Sequence, residues 1–339
     1  MNKNETPYPP SWMDRISAWI DRLTISAGQF YFLAGIATST GFMVLAWLGG
    51  GLRVGEFHYL IVAGGFYTVL PIVLYRYLSG RAGEYFDTFK PILQVSSSVS
   101  NRFAYGLQQL PARWGWIILI FALAFGISDV TTRPESYLLI ENSPLYIVLI
   151  NIIVTSFNGA MIFALVAQIF RQLRFVHQMH RLPLTIDLFN LDIAHTFSKL
   201  TARIAGSLIL LGLLLTAEPS QSALLISFYV MFSLLGLLAF FVPLRGMYGA
   251  IRQKKNNALQ EINGNIASII ELIQAQVGKN KFPRANDLNT TLTGLVSSKS
   301  IVEKIPPWPW DVSIFRSFVS SILLPILLWF VFRVLDGVL

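Results

Sequence analysis

The sequence predicts an all-α integral membrane protein with seven transmembrane helices, its N-terminus cytoplasmic and its C-terminus outside. Three observations carry that prediction. First, 54% of the 339 residues are hydrophobic, 13% are charged and mean hydropathy is +0.56, whereas soluble domains carry about 25% charge. This balance argues against a cytosolic globular protein and against disorder, which needs low hydrophobicity and high charge. Second, the apolar residues fall in seven blocks, at 29–50, 57–79, 115–132, 145–170, 202–217, 222–245 and 312–335, near the ~20 residues that cross a hydrocarbon layer of about 30 Å as helix. Third, basic residues concentrate in alternate loops.

Taken in chain order, residues 1–10 are polar, hold Pro9-Pro10 and lack the pattern of a signal peptide, so the mature chain is expected to begin at Met1. Ser11 with Asp14 forms a capping-box pattern that opens a short helix. Trp12, Ile16, Trp19, Ile20 and Leu23 share one face of it; Asp14, Arg15, Asp21 and Arg22 share the other. Such a helix either anchors at the membrane interface or packs on the protein's own cytosolic face. Residues 1–28 therefore form a cytoplasmic tail with this helix, and 29–248 a six-span bundle with cytoplasmic loops 80–114 and 171–201. A cytoplasmic helical hairpin at 249–311 and the seventh span at 312–339 complete the chain. The weakest block is 202–217, but it is uncharged beyond Arg203, which can reach the interface, and only the short 'EPSQS' links it to the next.

Orientation follows from charge, because loops rich in Lys and Arg stay cytoplasmic. Segments 1–28, 76–114, 171–203 and 245–316 hold 23 of the 26 basic and 12 of the 18 acidic residues. The alternate set holds only Arg53, Arg133 and Arg333 against 6 acidic residues. Trp47, Trp114, Trp116, Trp308, Trp310 and Trp329 all fall near the ends of blocks, where indole rings favour the headgroup level.

In the 249–311 segment, Leu259, Ile262, Ile266, Ile269, Ile273 and Val277 step by three or four residues, a heptad-like seam. Gly278 and Pro283 interrupt it before a second helix carrying Leu288, Leu292, Leu295, Val302 and Ile305. The seam packs either within one subunit or between copies. In 171–203, His177, His180, Asp187, Asp192 and His195 resemble metal ligands in type, but their spacing brings no third ligand to the His177–His180 pair. No metal and no cofactor are expected. Leu184, Ile186, Leu188, Phe189, Leu191 and Ile193 are expected to dock this loop on the other cytoplasmic helices.

The spans hold no Asp or Glu at membrane depth, which weighs against an acid-coupled transporter. With no Cys, no HExxH, no Ser-His constellation and no phosphate-cradling Gly-rich loop, no catalytic residues are assigned. Neutral polar groups remain. Asn151 and Asn158, seven apart on one helix face, are candidates for a polar pocket between spans; packing between helices is the alternative. Small residues Gly35, Ser39, Ala202 and Gly206 suit close helix contacts. In the last span Ser313, Ser317, Ser320 and Ser321 line one face that continues as Leu324 and Leu328. A polar vestibule leading to an aliphatic ring is the pattern of a hydrophobic gate when copies surround an axis. Pro325 supplies a place to bend.

The motif 'IPPWPWD' before the apolar run from Val312, together with 'LTIDLFNLDIAHTFSKL', resembles a family of bacterial and archaeal multi-pass membrane proteins with no assigned activity. In topology the chain also resembles the seven-span ion channels that include insect odorant and gustatory receptors. That resemblance implies a homotetrameric, ligand-gated cation channel with a central pore lined by the last span, and a small-molecule pocket among the outer halves of the earlier spans. The Thr-Tyr and Gln-Phe pairs of the insect family's last span are not present: residues 316–330 read 'RSFVSSILLPILLWF'. Besides the channel, two further readings stay open: a membrane scaffold or sensor that binds a partner through its cytoplasmic helices, and a transporter of neutral or lipid-like molecules. The expected surroundings are the lipid bilayer of the cell membrane and further copies of the chain, with no nucleic acid.

Overall fold

A computed structural model of the chain describes residues 7–137, 139, 143–215, 223–278, 282–310 and 313–320. Among them the regular structure is helical: α1 (Trp12–Ile20), α2 (Ala27–Leu48), α3 (Tyr59–Phe89), α4 (Ser97–Gln108), α5 (Ala112–Thr132), α6 (Leu145–Met179), α7 (Thr196–Leu215), α8 (Ala223–Val277) and α9 (Phe282–Lys304). A further helical stretch covers 313–320. Isolated bridges join Leu93 to Leu184 and Pro10 to Pro111.

Five of these helices are long and apolar enough to cross a membrane, over Ala27–Leu48, Ile61–Ile92, Ala112–Thr132, Leu145–Met179 and Val230–Val277. The chain is thus a multi-span α-helical protein. The sequence block 202–217 falls largely in α7, and all but residues 313–320 of the last block lies outside the described residues. Large apolar side chains on the outer faces, such as Phe32, Ile120, Phe121 and Ile153, are more than half exposed, which hydrocarbon tolerates and water does not.

Lipid supplies no hydrophobic drive between apolar helices, so close backbone approach at small residues must hold the spans together. A Cβ on Gly65 would run into Ser39, and one on Gly35 into the Phe66 ring, which brings α2 against α3. There Ser39 Oγ donates to the Val62 carbonyl and Thr38 Oγ1 to that of Gly65, each at 2.7 Å. Gly126 of α5 faces Ser156 of α6 in the same way. Gly206, by contrast, has nothing among the described residues within 4 Å of where a Cβ would stand.

Three helices are longer than any bilayer requires. At 1.5 Å per residue, α3, α6 and α8, of 31, 35 and 55 residues, extend about 46, 52 and 82 Å against a hydrocarbon layer of ~30 Å. All three run on at the end of the bundle that carries the basic residues. The segment 249–277 is therefore the continuation of the helix begun at 223, with Pro243 inside it, and only α9 folds back. Proline removes one ladder hydrogen bond, but Phe240, Leu244, Met247 and Ile251 are buried on both sides of it and hold the helix together. Leu259, Ile262, Ile266, Ile269 and Ile273 are half-buried along α8, while Val277 is exposed; Ala285 and Val302 of α9 are buried opposite them.

The tightest packing lies at this same end, where Met13, Ile20, Tyr75, Leu78, Phe86, Phe89, Leu107, Leu110 and Phe197 are almost wholly buried. Helix α1 belongs to it. Ser11 N–H donates to the Leu110 carbonyl at 2.8 Å, Ala112 N–H to that of Pro9 at 2.9 Å, and Trp12 Nε1 to that of Gly115 at 3.2 Å. The helix thus packs on the protein, while Trp19 remains 53% exposed, with its ring edge-on to Phe30.

Candidate functional site

After 'PPWPWD' the chain turns helical at 313, and Ile314 and Phe318 face inward onto Ala205 and Ile209 of α7 and Phe240 and Leu244 of α8. Phe318 is 3% exposed and stacks on Phe240 with ring centroids 4.3 Å apart. Residues 313, 317 and 320 lie at i, i+4 and i+7, on one helix face away from that contact. Ser313, Ser317 and Ser320 are accordingly exposed. Ser321, Leu324 and Leu328, the continuation of that face in the sequence, lie outside the described residues.

The entry to this helix is clasped. Trp310 packs on Phe240 and Phe241 at 5.7 and 5.6 Å, and Trp308 on Tyr248 at 5.3 Å. His195 Nε2 lies 3.1 Å from the Trp308 carbonyl. Lys255 Nζ donates to the carbonyls of Glu303 and Ile305 at 2.7 and 2.8 Å. A cation on the last carbonyls of α9 satisfies acceptors that the helix cannot and opposes its negative dipole end. Side chains thus join the hairpin and α8 to the segment that leads into the last helix.

Asn151 and Asn158 bond to separate partners. Asn151 Nδ2 donates at 3.0 Å to the Ile147 carbonyl of its own helix, and Asn158 Nδ2 at 3.3 Å to Thr68 Oγ1 of α3, leaving Asn158 Oδ1 buried without a partner. Of the two bonds, only that of Asn158 crosses between helices. The imagined metal ligands also separate: among the described residues no group of three His, Cys, Asp or Glu side chains gathers. His180 is buried against Phe89 and Phe197, its Nδ1 2.9 Å from the Pro243 carbonyl, and burial lowers its pKa to about 4. Ile186 and Leu188 dock their loop as the sequence implies, but Phe189 is 74% exposed.

One charged residue is buried where its sequence position promised a surface. Asp14 caps α1, yet its carboxylate also accepts from Leu110 N–H at 3.0 Å and from Tyr75 Oη at 2.7 Å, besides Ser11 N–H at 3.0 Å and Ser11 Oγ at 2.7 Å. Burial pushes its pKa up, and the bonds from Tyr75, Ser11 and Leu110 pull the other way. Beside it, Arg171 bonds the Tyr8 hydroxyl and the Gly106 carbonyl, while Gln168 and Gln172 both donate to the Leu107 carbonyl at 2.9 and 3.0 Å. Burial raises the Tyr8 phenol to about 12, against the pull of the Arg171 cation. The partners lie 96 residues from Asp14 in the case of Leu110 and 61 in that of Tyr75, so no local pattern announces them. Asp14 borders a groove of about 560 Å³ that continues past Tyr31 and Arg76 to Tyr77 and Arg81. No protein-family model, curated protein or solved structure matches the chain.

Proposed function

We propose that the protein is a non-enzymatic, oligomeric membrane channel of seven spans, with a cytoplasmic N-terminus and an external C-terminus, whose last helix lines the pore. Spans five and seven are the helix α7 and the helix that begins at 313; the other five are those long enough on their own. The single observation that supports the pore is the exposed face of Ser313, Ser317 and Ser320, set opposite the Phe318 anchor. A row of hydroxyls gains little from hydrocarbon and much from water or from the same row on neighbouring copies. Leu324 and Leu328, on the continuation of that face, then form the apolar ring that excludes ions when dry. The chain of Lys255, Trp308 and Trp310 links the hairpin to that helix, a route by which cytoplasmic movement reaches the gate.

The test is ion flux into liposomes carrying the purified protein. Leu324→Ser and Leu328→Asn hydrate the ring and are expected to raise basal flux above wild type, whereas Ile326→Ser, about 160–200° around the helix, leaves it unchanged. Absence of flux in wild type and in both leucine variants, with folded protein in the vesicles, removes the channel and favours a scaffold. The exposed Ile270, Leu272, Val277 and Val296 of the α8–α9 hairpin support that second reading as a partner surface.

A further inference from the structure

Tyr77, Arg81 and Tyr85 stand at i, i+4 and i+8 on α3 and so share one face. Into that face α7 inserts Arg203, its guanidinium 5.7 Å from the Tyr77 ring centroid and 5.3 Å from that of Tyr85. Arg81 approaches the same Tyr77 ring, also to 5.7 Å. Two like charges share one aromatic ring, and only one of them has a counter-ion: Arg81 pairs with Glu84, while Arg203 pairs with no carboxylate among the described residues. Arg203 Nη1 is buried and has no hydrogen-bond partner there, and the hydroxyls of Tyr77 and Tyr85 make no hydrogen bond among the described residues either. The sequence alone read Arg203 as a residue that reaches for the interface; in the structure its guanidinium lies against two rings.

A ring face attracts the cation but offers its N–H groups no acceptor directed along them. A guanidinium so placed offers Nη1 as a donor without a partner among the described residues, beside two phenol hydroxyls, and the two arginines against Glu84 leave an excess of one formal positive charge in the notch. That combination fits a phosphate oxygen pair, to which arginine binds through two parallel N–H bonds. Arg203 immediately precedes the uncharged run Ile204–Leu215 of α7, at the boundary between apolar helix and the basic end of the bundle. In the seven-span arrangement proposed above, that boundary falls at headgroup level, where phosphates lie with acyl chains beside the neighbouring apolar faces.

We propose that Tyr77, Arg81, Tyr85 and Arg203 form a binding site for the phosphate of an anionic lipid headgroup. The lipid is held by Arg203, oriented by the two tyrosine hydroxyls, and weakened by Glu84, which competes for Arg81. This site is independent of whether the last helix conducts ions.

The experiment measures retention of phosphatidylglycerol against phosphatidylcholine by the full chain in detergent, by native mass spectrometry and by the shift of melting temperature on adding each lipid. Wild type is expected to prefer phosphatidylglycerol, Arg203→Gln to lose about tenfold in affinity and most of the melting shift, and Arg81→Gln to lose less because Glu84 already neutralises it. Glu84→Gln is expected to tighten binding, an effect that a purely structural role for these side chains does not produce. Since Glu84 is exposed, that variant keeps the test open should Arg203→Gln fold poorly. Equal retention of the two lipids by wild type, or no change in Glu84→Gln together with Arg81→Gln, overturns the proposal. Inorganic phosphate alone giving the full melting shift, without preference for the lipid, assigns the notch to a free anion and overturns the lipid source.

Discussion

His180 shows how far a residue's surroundings override its type. In the sequence it was one of three histidines near two aspartates; in the structure it is a neutral ring wedged between Phe89 and Phe197 under Gly246, with the Pro243 carbonyl as its partner. Its pKa of about 4 lies below the ordinary 6.5, so the unfolded chain takes up the proton first as pH falls. The stabilisation it contributes is complete above about pH 6.5 and is lost progressively down to about pH 4, a loss of about 3 kcal/mol at most. Asp14 acts in the opposite sense, because a carboxyl raised by burial favours the fold as it becomes protonated. The difference between wild type and His180→Asn isolates the histidine: melting temperature in detergent is expected to fall more steeply between pH 6.5 and 4 in wild type than in the variant. Equal slopes would mean that His180 is not a buried neutral ring. Asparagine keeps a donor for the Pro243 carbonyl, so the comparison at neutral pH stays close.

At the scale of the element, the amphipathic pattern was readable and its continuity was not. The repeat of Leu259, Ile262, Ile266, Ile269 and Ile273 marked the face that α9 covers, and Gly278 with Pro283 marked the reversal. Nothing local showed that α8 passes unbroken through Pro243, because a proline in a helical pattern is ordinarily a boundary and only long-range packing of Phe240, Leu244 and Met247 overrules it. Burial also ranks the hairpin's residues. Val302 is 4% exposed and Ile266 is half-buried, so an unpaired charge at Val302 costs several kcal/mol and the same change at Ile266 clearly less. Thermal unfolding of Val302→Asp and Ile266→Asp checks the order. A larger loss at Ile266, accompanied by a lower oligomer mass, would mean that the seam packs between copies rather than inside one.

For the whole molecule, composition and block length made the multi-span helical class legible, and charge placement distinguished the two ends of the bundle. The densest packing formed at the basic end because α3, α6 and α8 outrun the bilayer there and bring in α1, α4 and α9. That assembly rests on contacts across long sequence separations: Asp14 with Tyr75 and Leu110, Arg171 with Tyr8, Lys255 with the end of α9. The serine face of the last helix was legible as a periodicity, and its exposure came only from seeing Phe318 on Phe240. If that face lines a pore, a thiol placed on it must control conduction. The native chain has no Cys, so the most direct measurement is flux through liposomes containing Ser317→Cys before and after a charged thiol reagent, with Ile120→Cys, 71% exposed on α5, as the lipid-facing control. Modification at 317 is expected to cut flux severalfold while wild type and the 120 control are unaffected. Full flux after complete modification at 317, verified by mass, would contradict it.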